Sequence, residues 1–542
     1  RILEPVKMKD SLLDAEQGGP AAEGAGATTT APEPKKEVVQ VSVELVPALR
    51  NCIAFFTAIG FVIWLVALAR NASVVAASLA PTVTPFDNWY YWCVLFAAPV
   101  TGWFGFRRVY HNSLPWFAAV LAVLSYMVLD AYTVRVSSQR QHCTTEALGS
   151  PNRRNCDMVY LGYTGAFFIF SSQILLIFIT TVSGSDTPTS YSEVISLFQG
   201  ARSAVRGEGG NTREKKDIFL RVSVLFLSFG GFLLWIIELG FYSNATAAAG
   251  GTQGFANWYY WVALWAAPVL VLLSYMDKPH RTLPFLAVIV TAVLFDANRT
   301  WTGETSACSA QSREARSTST DCKYTYVGMV GVLIMFFSQF CFIGVAANDV
   351  YSEAEYEENS KVVKGGKIAG FILTLIGCLL WLILLGKSAQ WVAYTNNQDG
   401  SACTTDTPTQ CLFWYEWTWW FLLCAMPLTA LIMVVSSKAR PSVPFFTALF
   451  MALMYYASQV YTSDQGNQPS GQVGVYGIQS CRVTIAATDS GDVYTYCAFV
   501  GTGFAGIVML VVAMGVMTFV NGGALTPPRV GGSRASGGPG VF

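Results

Sequence analysis

Twelve apolar runs, each close to the length that carries a helix across a lipid bilayer, constrain this 542-residue chain more than any other feature. They fall near residues 50–69, 88–105, 115–134, 159–181, 218–239, 257–275, 283–299, 325–347, 367–386, 414–436, 443–462 and 497–520. A hydrocarbon core about 30 Å thick takes about 20 apolar residues as helix, and a spanning helix satisfies its own backbone hydrogen bonds. Barrel strands would alternate apolar and polar residues instead. Only 13% of the residues are charged, against about 25% in soluble domains. The expectation is an all-α, polytopic membrane protein of twelve spans. The seventh run is the shortest, and the internal repeat supports it.

That repeat begins with an aromatic line. "NWYYWCVLFAAP" (88–99) returns as "NWYYWVALWAAP" (257–268) and, worn, as "EWTWWFLLCAMP" (416–427). The three prolines, Pro99, Pro268 and Pro427, lie 169 and 159 residues apart and should kink the second helix of each unit. First helices carry Gly-x-x-x-Trp at Gly60/Trp64, Gly231/Trp235 and Gly377/Trp381. Third helices open on "LPWF", "LPFL" and "VPFF", and fourth helices on Tyr then Gly at Tyr160/Gly165, Tyr326/Gly331 and Tyr496/Gly501. Four landmarks in one order, three times, read as a four-helix unit triplicated. An even number of spans per unit makes the copies parallel, and three parallel copies suit a pseudo-threefold axis normal to the membrane. The resulting domains are a disordered tail 1–45, repeats at 46–182, 218–347 and 367–521, linkers 183–217 and 348–366, and a disordered tail 522–542.

Basic residues set the orientation. The turns after each second helix hold Arg107, Arg108 and His111, then Lys278, His280 and Arg281, then Lys438 and Arg440. With these inside, 23 of the 34 Lys and Arg are cytoplasmic, as are both termini and both linkers. Sequons at Asn71, Asn244 and Asn298 then face outward, which suits glycosylation at the plasma membrane. Eight cysteines also fall in outer loops, an oxidising setting, and pair as Cys143–Cys156, Cys308–Cys322, Cys403–Cys411 and Cys481–Cys497. Cys497 fits the repeat least well, because it follows its landmark Tyr where Cys156 and Cys322 precede theirs. The aromatic lines lie at the outer surface in this layout. They read as an interfacial belt, or as a vestibule for a ligand or sterol.

Ionisable groups inside a bilayer are functional candidates by default. Asp130 and Gln459 lie 15 residues past the third-helix proline and Asp296 lies 12 past. Together they form either a polar ring about the axis, serving a cation or a proton relay, or caps within their own units. The Gln in the third copy and the lack of mid-helix Lys or Arg favour caps. Glu238 near the end of helix five, with Gln173 and Gln339 eight residues past the shared glycine of helix four, read as interhelical packing groups. Residues 194–206 suit either an amphipathic surface helix or a plain linker.

No phosphate loop, nucleophile elbow or HExxH stands in the chain, and its three histidines form no metal spacing. Neither an enzyme nor a cofactor is expected, and a formal net charge of zero gives no basic surface for nucleic acid. The four-helix plan, with internal termini and a cystine-bearing second outer loop, resembles tetraspan proteins of the MARVEL and claudin kind, in topology alone. The resemblance implies a membrane-organising role through packing and contact with lipid, sterol included, and assembly into homo-oligomers or a lattice. A channel or transporter along the axis, or a membrane sensor, is the alternative.

Overall fold

The computed structural model describes residues 42–78, 89–106, 114–145, 151–182, 212–248, 258–274, 281–310, 320–351, 355–356, 361–398, 417–435, 441–462 and 491–526, with side chains described in the apolar parts of these helices. Each apolar run of the sequence lies on one helix: α1 (Ser42–Ser78), α2 (Trp89–Phe106), α3 (Leu114–Thr145), α4 (Pro151–Val182), α5 (Thr212–Ala248), α6 (Trp258–Ser274), α7 (Leu283–Ala310), α8 (Thr320–Tyr351), α9 (Lys361–Gln398), α10 (Trp417–Val435), α11 (Val443–Thr462) and α12 (Gly491–Ala524). Nine of these described helices are long and apolar enough to cross a membrane; α2, α6 and α11 contribute shorter apolar segments. The seventh, questioned on length, is among the nine. Pro99, Pro268 and Pro427 lie inside α2, α6 and α10.

Helix pairing follows the small residues. The most extensive contacts join α1 to α4, α5 to α8 and α9 to α12. At each crossing two glycines meet. A Cβ on Gly60 would stand 2.9 Å from the Gly165 carbonyl oxygen, one on Gly231 2.8 Å from that of Gly331, and one on Gly377 3.0 Å from that of Gly506. Backbones this close leave no room for a side chain, which is the packing logic of small residues in membrane helices. The partner in the third pair is Gly506, not the Gly501 that the Tyr landmark picks out; a Cβ on Gly501 would meet nothing within 4 Å. One turn after the first-helix glycines, Trp64, Trp235 and Trp381 are fully buried.

The third helices sit at the centre. α3, α7 and α11 all touch one another, and 78% and 83% of the apolar windows of α3 and α7 are buried, against 33% for α1. At one end the residues that follow Pro115, Pro284 and Pro444 meet as a ring trio. Centroids of Trp116 and Phe285 are 4.9 Å apart, Trp116 and Phe445 4.2 Å, and Phe285 and Phe445 4.8 Å. Eight residues past each proline, Val123, Ala292 and Ala452 are fully buried. The other end is polar, and the three helices run the same way from the proline end to it.

Each fourth helix packs on the following third of the chain. Phe167 of α4 meets Trp258 of α6 at 5.9 Å, Phe340 of α8 meets Phe446 of α11 at 4.7 Å, and Phe519 of α12 stacks on Phe117 of α3 at 3.7 Å. The last contact closes the ring of helices. A two-residue ladder pairs β1 (Glu355–Tyr356) antiparallel with β2 (Leu525–Thr526), so the segments that follow α8 and α12 meet.

Candidate functional site

The first turn of α6 gathers the polar end of the axis. Successive helical residues point about 100° apart, so Trp258, Tyr259 and Tyr260 fan out to three helices. The Trp258 indole N–H donates to the Tyr163 hydroxyl of α4 at 2.8 Å. Tyr259 donates to the Asp130 carboxylate on α3. Tyr260 donates to Asp296 Oδ2 on α7 at 3.3 Å and shares a 3.2 Å bond with the Thr300 hydroxyl.

Asp296 is the hub. Its Oδ2 also accepts from the Tyr126 hydroxyl of α3 at 2.8 Å, and its Oδ1 from the Tyr456 hydroxyl of α11 at 2.8 Å. One carboxylate, 3% exposed, thus ties α3, α6, α7 and α11 together. An acceptor-only group in a low-dielectric interior needs such donors, and phenols supply them without adding charge. Arg299, one turn along α7, donates to the Tyr456 hydroxyl at 3.0 Å. Its guanidinium lies 4.9 Å from the Trp419 ring centroid and 5.4 Å from that of Tyr456, a cation–π geometry.

Arg299 was the residue that sequence reasoning missed. It stands 15 residues past Pro284, the register that Asp130 and Gln459 hold past Pro115 and Pro444. The level therefore carries an acid, a base and an amide, and Asp296 belongs one turn lower with Met127 and Tyr456. The structure brings Asp130 and Asp296 into adjoining clusters, linked by the edge-on contact of Tyr126 and Tyr259 at 5.2 Å; Gln459 lies on α11, with its side chain outside the described residues.

The other intramembrane candidates hold neighbouring helices. Thr101 of α2 donates to Gln173 Oε1 at 3.1 Å, and Gln339 Nε2 donates to the Ala267 carbonyl of α6 at 2.9 Å. With Gly506 as the third landmark, the residue eight further on, matching Gln173 and Gln339, is the buried Met514. Glu238 is buried over Gly328, where a Cβ would come within 2.8 Å of the Glu238 Cβ.

Part of each aromatic line turns inward. Tyr91, Tyr260 and Trp419 occupy the same place in the three lines and are buried. They meet Trp64, Trp235 and Trp381 at 6.2, 6.1 and 5.9 Å respectively. Tyr91 also stacks on Tyr132 at 5.9 Å, whose hydroxyl accepts from the Trp64 indole at 3.2 Å. Trp92 and Trp258 remain half-buried.

The sequons separate. Asn298 is fully buried, so it cannot carry a glycan in this fold, and that expectation is corrected. Asn71 and Asn244 lie on α1 and α5, with side chains outside the described residues. Of the cysteines expected to pair, Cys143, Cys156, Cys308, Cys322 and Cys497 lie on α3, α4, α7, α8 and α12 with side chains undescribed, while Cys403, Cys411 and Cys481 fall outside the described residues, as do residues 194–206. Cys52, Cys93, Cys341, Cys378 and Cys424 are free thiols on helices. Among the described residues no group of three His, Cys, Asp or Glu is placed to hold a metal ion.

Comparison with protein-family models, curated proteins and solved structures finds no match.

Proposed function

We propose that this chain is a structural, membrane-organising protein of the plasma membrane, built as three parallel four-helix repeats about a pseudo-threefold axis, twelve spans in all. The observation that carries the reading is the filled axis. Where a solute path would run, Trp116, Phe285 and Phe445 pack at 4.2–4.9 Å and buried aliphatic residues lie above them. Large apolar side chains face outward around the bundle, among them Phe219 and Phe226 at 74% exposure and Leu379 at 61%. Such a surface suits lipid and contact with further copies of the chain; sterol is a lipid it can accept.

The threefold recurrence of the glycine crossing and of the Trp–aromatic pair supports triplication. So does the corrected register: Cys156, Cys322 and Cys497 each stand nine residues before Gly165, Gly331 and Gly506. The third disulfide thereby fits the repeat as well as the first two. Arg50, Arg221 and Lys367 each stand 14 residues before the buried tryptophan of the first helix, toward the proline end, which favours a cytoplasmic proline end with cytoplasmic termini.

A second reading, an ion or solute carrier, is favoured by Asp130, Asp296 and Arg299 at the polar end. One experiment separates the two. Purified protein in liposomes should pass neither ions nor small solutes, and chemical cross-linking in native membrane should recover assemblies of the chain. Flux that disappears in Asp130→Asn/Asp296→Asn would replace the structural reading with the carrier. A solely monomeric chain, scattered at random in the membrane, would also count against the structural role.

A further inference from the structure

The two ends of the axis are closed by different physics. At the proline end three aromatic rings touch, and Gly522 lies beneath Trp116, where a Cβ would stand 2.7 Å from the indole nitrogen. That contact is apolar and has no competitor in the bilayer. At the polar end closure rests on a few directional bonds: Tyr126 of α3 and Tyr456 of α11 both donate to Asp296 of α7, and Arg299 of α7 adds a second bond to the Tyr456 hydroxyl. Asp130 and Arg299 one turn above it and Tyr456 at its own level are half-buried and Thr300 is exposed, whereas Asp296 and Met127 are 3% and 2% exposed. The rim of this cluster is thus open at the surface of the bundle while its hub is not, and a rim at the edge of a bilayer meets water. A carboxylate exchanges a phenol for water at small net cost, so bonds of this kind open far more readily than packed rings.

We propose that the polar end is a latch: Asp296 holds α3 and α11 against α7 through Tyr126 and Tyr456, and release of these bonds opens the outer part of the axis down to Met127 while the aromatic trio stays shut. Arg299 braces the latch by holding the Tyr456 hydroxyl and ring. The device is asymmetric. Its hub comes from the second third of the chain and its two catches from the first and third, so the latch needs all three thirds in one molecule. It does not depend on a membrane-organising role, and it makes no continuous path by itself.

The test uses the full-length protein in lipid nanodiscs with Met127→Cys as reporter, a water-soluble maleimide, and mass spectrometry of the labelled peptides. The buried thiol of Cys378 on α9 is the internal control for loss of folding. The reporter should label slowly in the otherwise native chain. Asp296→Asn and Tyr456→Phe should each raise its rate by about tenfold or more, since every bond lost multiplies the open population by roughly that factor. Phe445→Leu at the opposite end should leave the rate unchanged, and Cys378 should stay protected throughout. Unchanged labelling at position 127 in both latch variants overturns the proposal. So does labelling that rises at position 127 and at Cys378 together. Tyr456→Phe removes a single hydroxyl and keeps the reading decisive if Asp296→Asn does not fold.

Discussion

Gly377 on α9 and Gly506 on α12 face each other with backbone against backbone: a Cβ on Gly506 would stand 2.8 Å from the Gly377 carbonyl oxygen and 2.9 Å from the Trp381 nitrogen. Neither neighbour can move aside without shifting a helix. Gly506→Ala should therefore lower stability by about 1–3 kcal/mol, the usual cost of overpacking. Gly501→Ala, with nothing within 4 Å of its Cβ, should be neutral or stabilising, since Ala exceeds Gly in helix propensity by about 1 kcal/mol. Thermal unfolding of the two variants in one detergent measures the contrast.

The Asp296 hub gives a second expectation. Tyr126→Phe removes one interhelical bond and should cost about 0.6 kcal/mol, with about 1.7 kcal/mol as the upper end for such bonds in membrane proteins. Asp296→Asn disturbs bonds from Tyr126, Tyr260 and Tyr456 at once and should cost more, about 2 kcal/mol. The double variant should fall short of the sum, because the two side chains share a bond. Additive losses in reversible unfolding would place the two groups out of contact.

The nine-residue spacing from Cys497 to Gly506 predicts a Cys481–Cys497 disulfide in the native protein. Non-reducing peptide mapping should recover that linked pair, together with Cys143–Cys156, Cys308–Cys322 and Cys403–Cys411. In Cys497→Ser, Cys481 should become reactive to an impermeant thiol reagent on intact cells. An unreactive Cys481 there would break the pairing.

Glycosylation should divide the sequons. Asn298→Gln should leave electrophoretic mobility unchanged, because Asn298 is buried in the bundle. Asn71→Gln and Asn244→Gln should each remove one glycan if their ends of α1 and α5 face outward. Mobility that shifts for Asn298→Gln alone would invert this part of the account.

The number and placement of the helices were legible in the sequence because a bilayer-length apolar run admits few other structures. The direction of the aromatic side chains was not. Trp and Tyr suit an interface and a buried hydrogen-bonded site for the same chemical reason, an apolar ring with one polar atom, and Tyr260 takes the buried option through Asp296. Gly501 misled because Tyr496 precedes it at the spacing seen in the other copies. A five-residue slip turns a helix by about 140°, so the glycine that touches α9 is Gly506. Arg299 is the last residue of the seventh apolar run, where a basic side chain suits the membrane surface, yet its distance from Pro284 equals that of Asp130 from Pro115. Counting from the proline would have found it.

Parallel triplication about a closed centre is tested most directly by the sidedness of the three turns that follow α2, α6 and α10. Single cysteines placed at Arg108, Lys278 and Lys438, one at a time, would be probed with an impermeant reagent on intact and on permeabilised cells. The account predicts that all three label only after permeabilisation. Labelling of any one of them from outside the intact cell, with the other two protected, would contradict it.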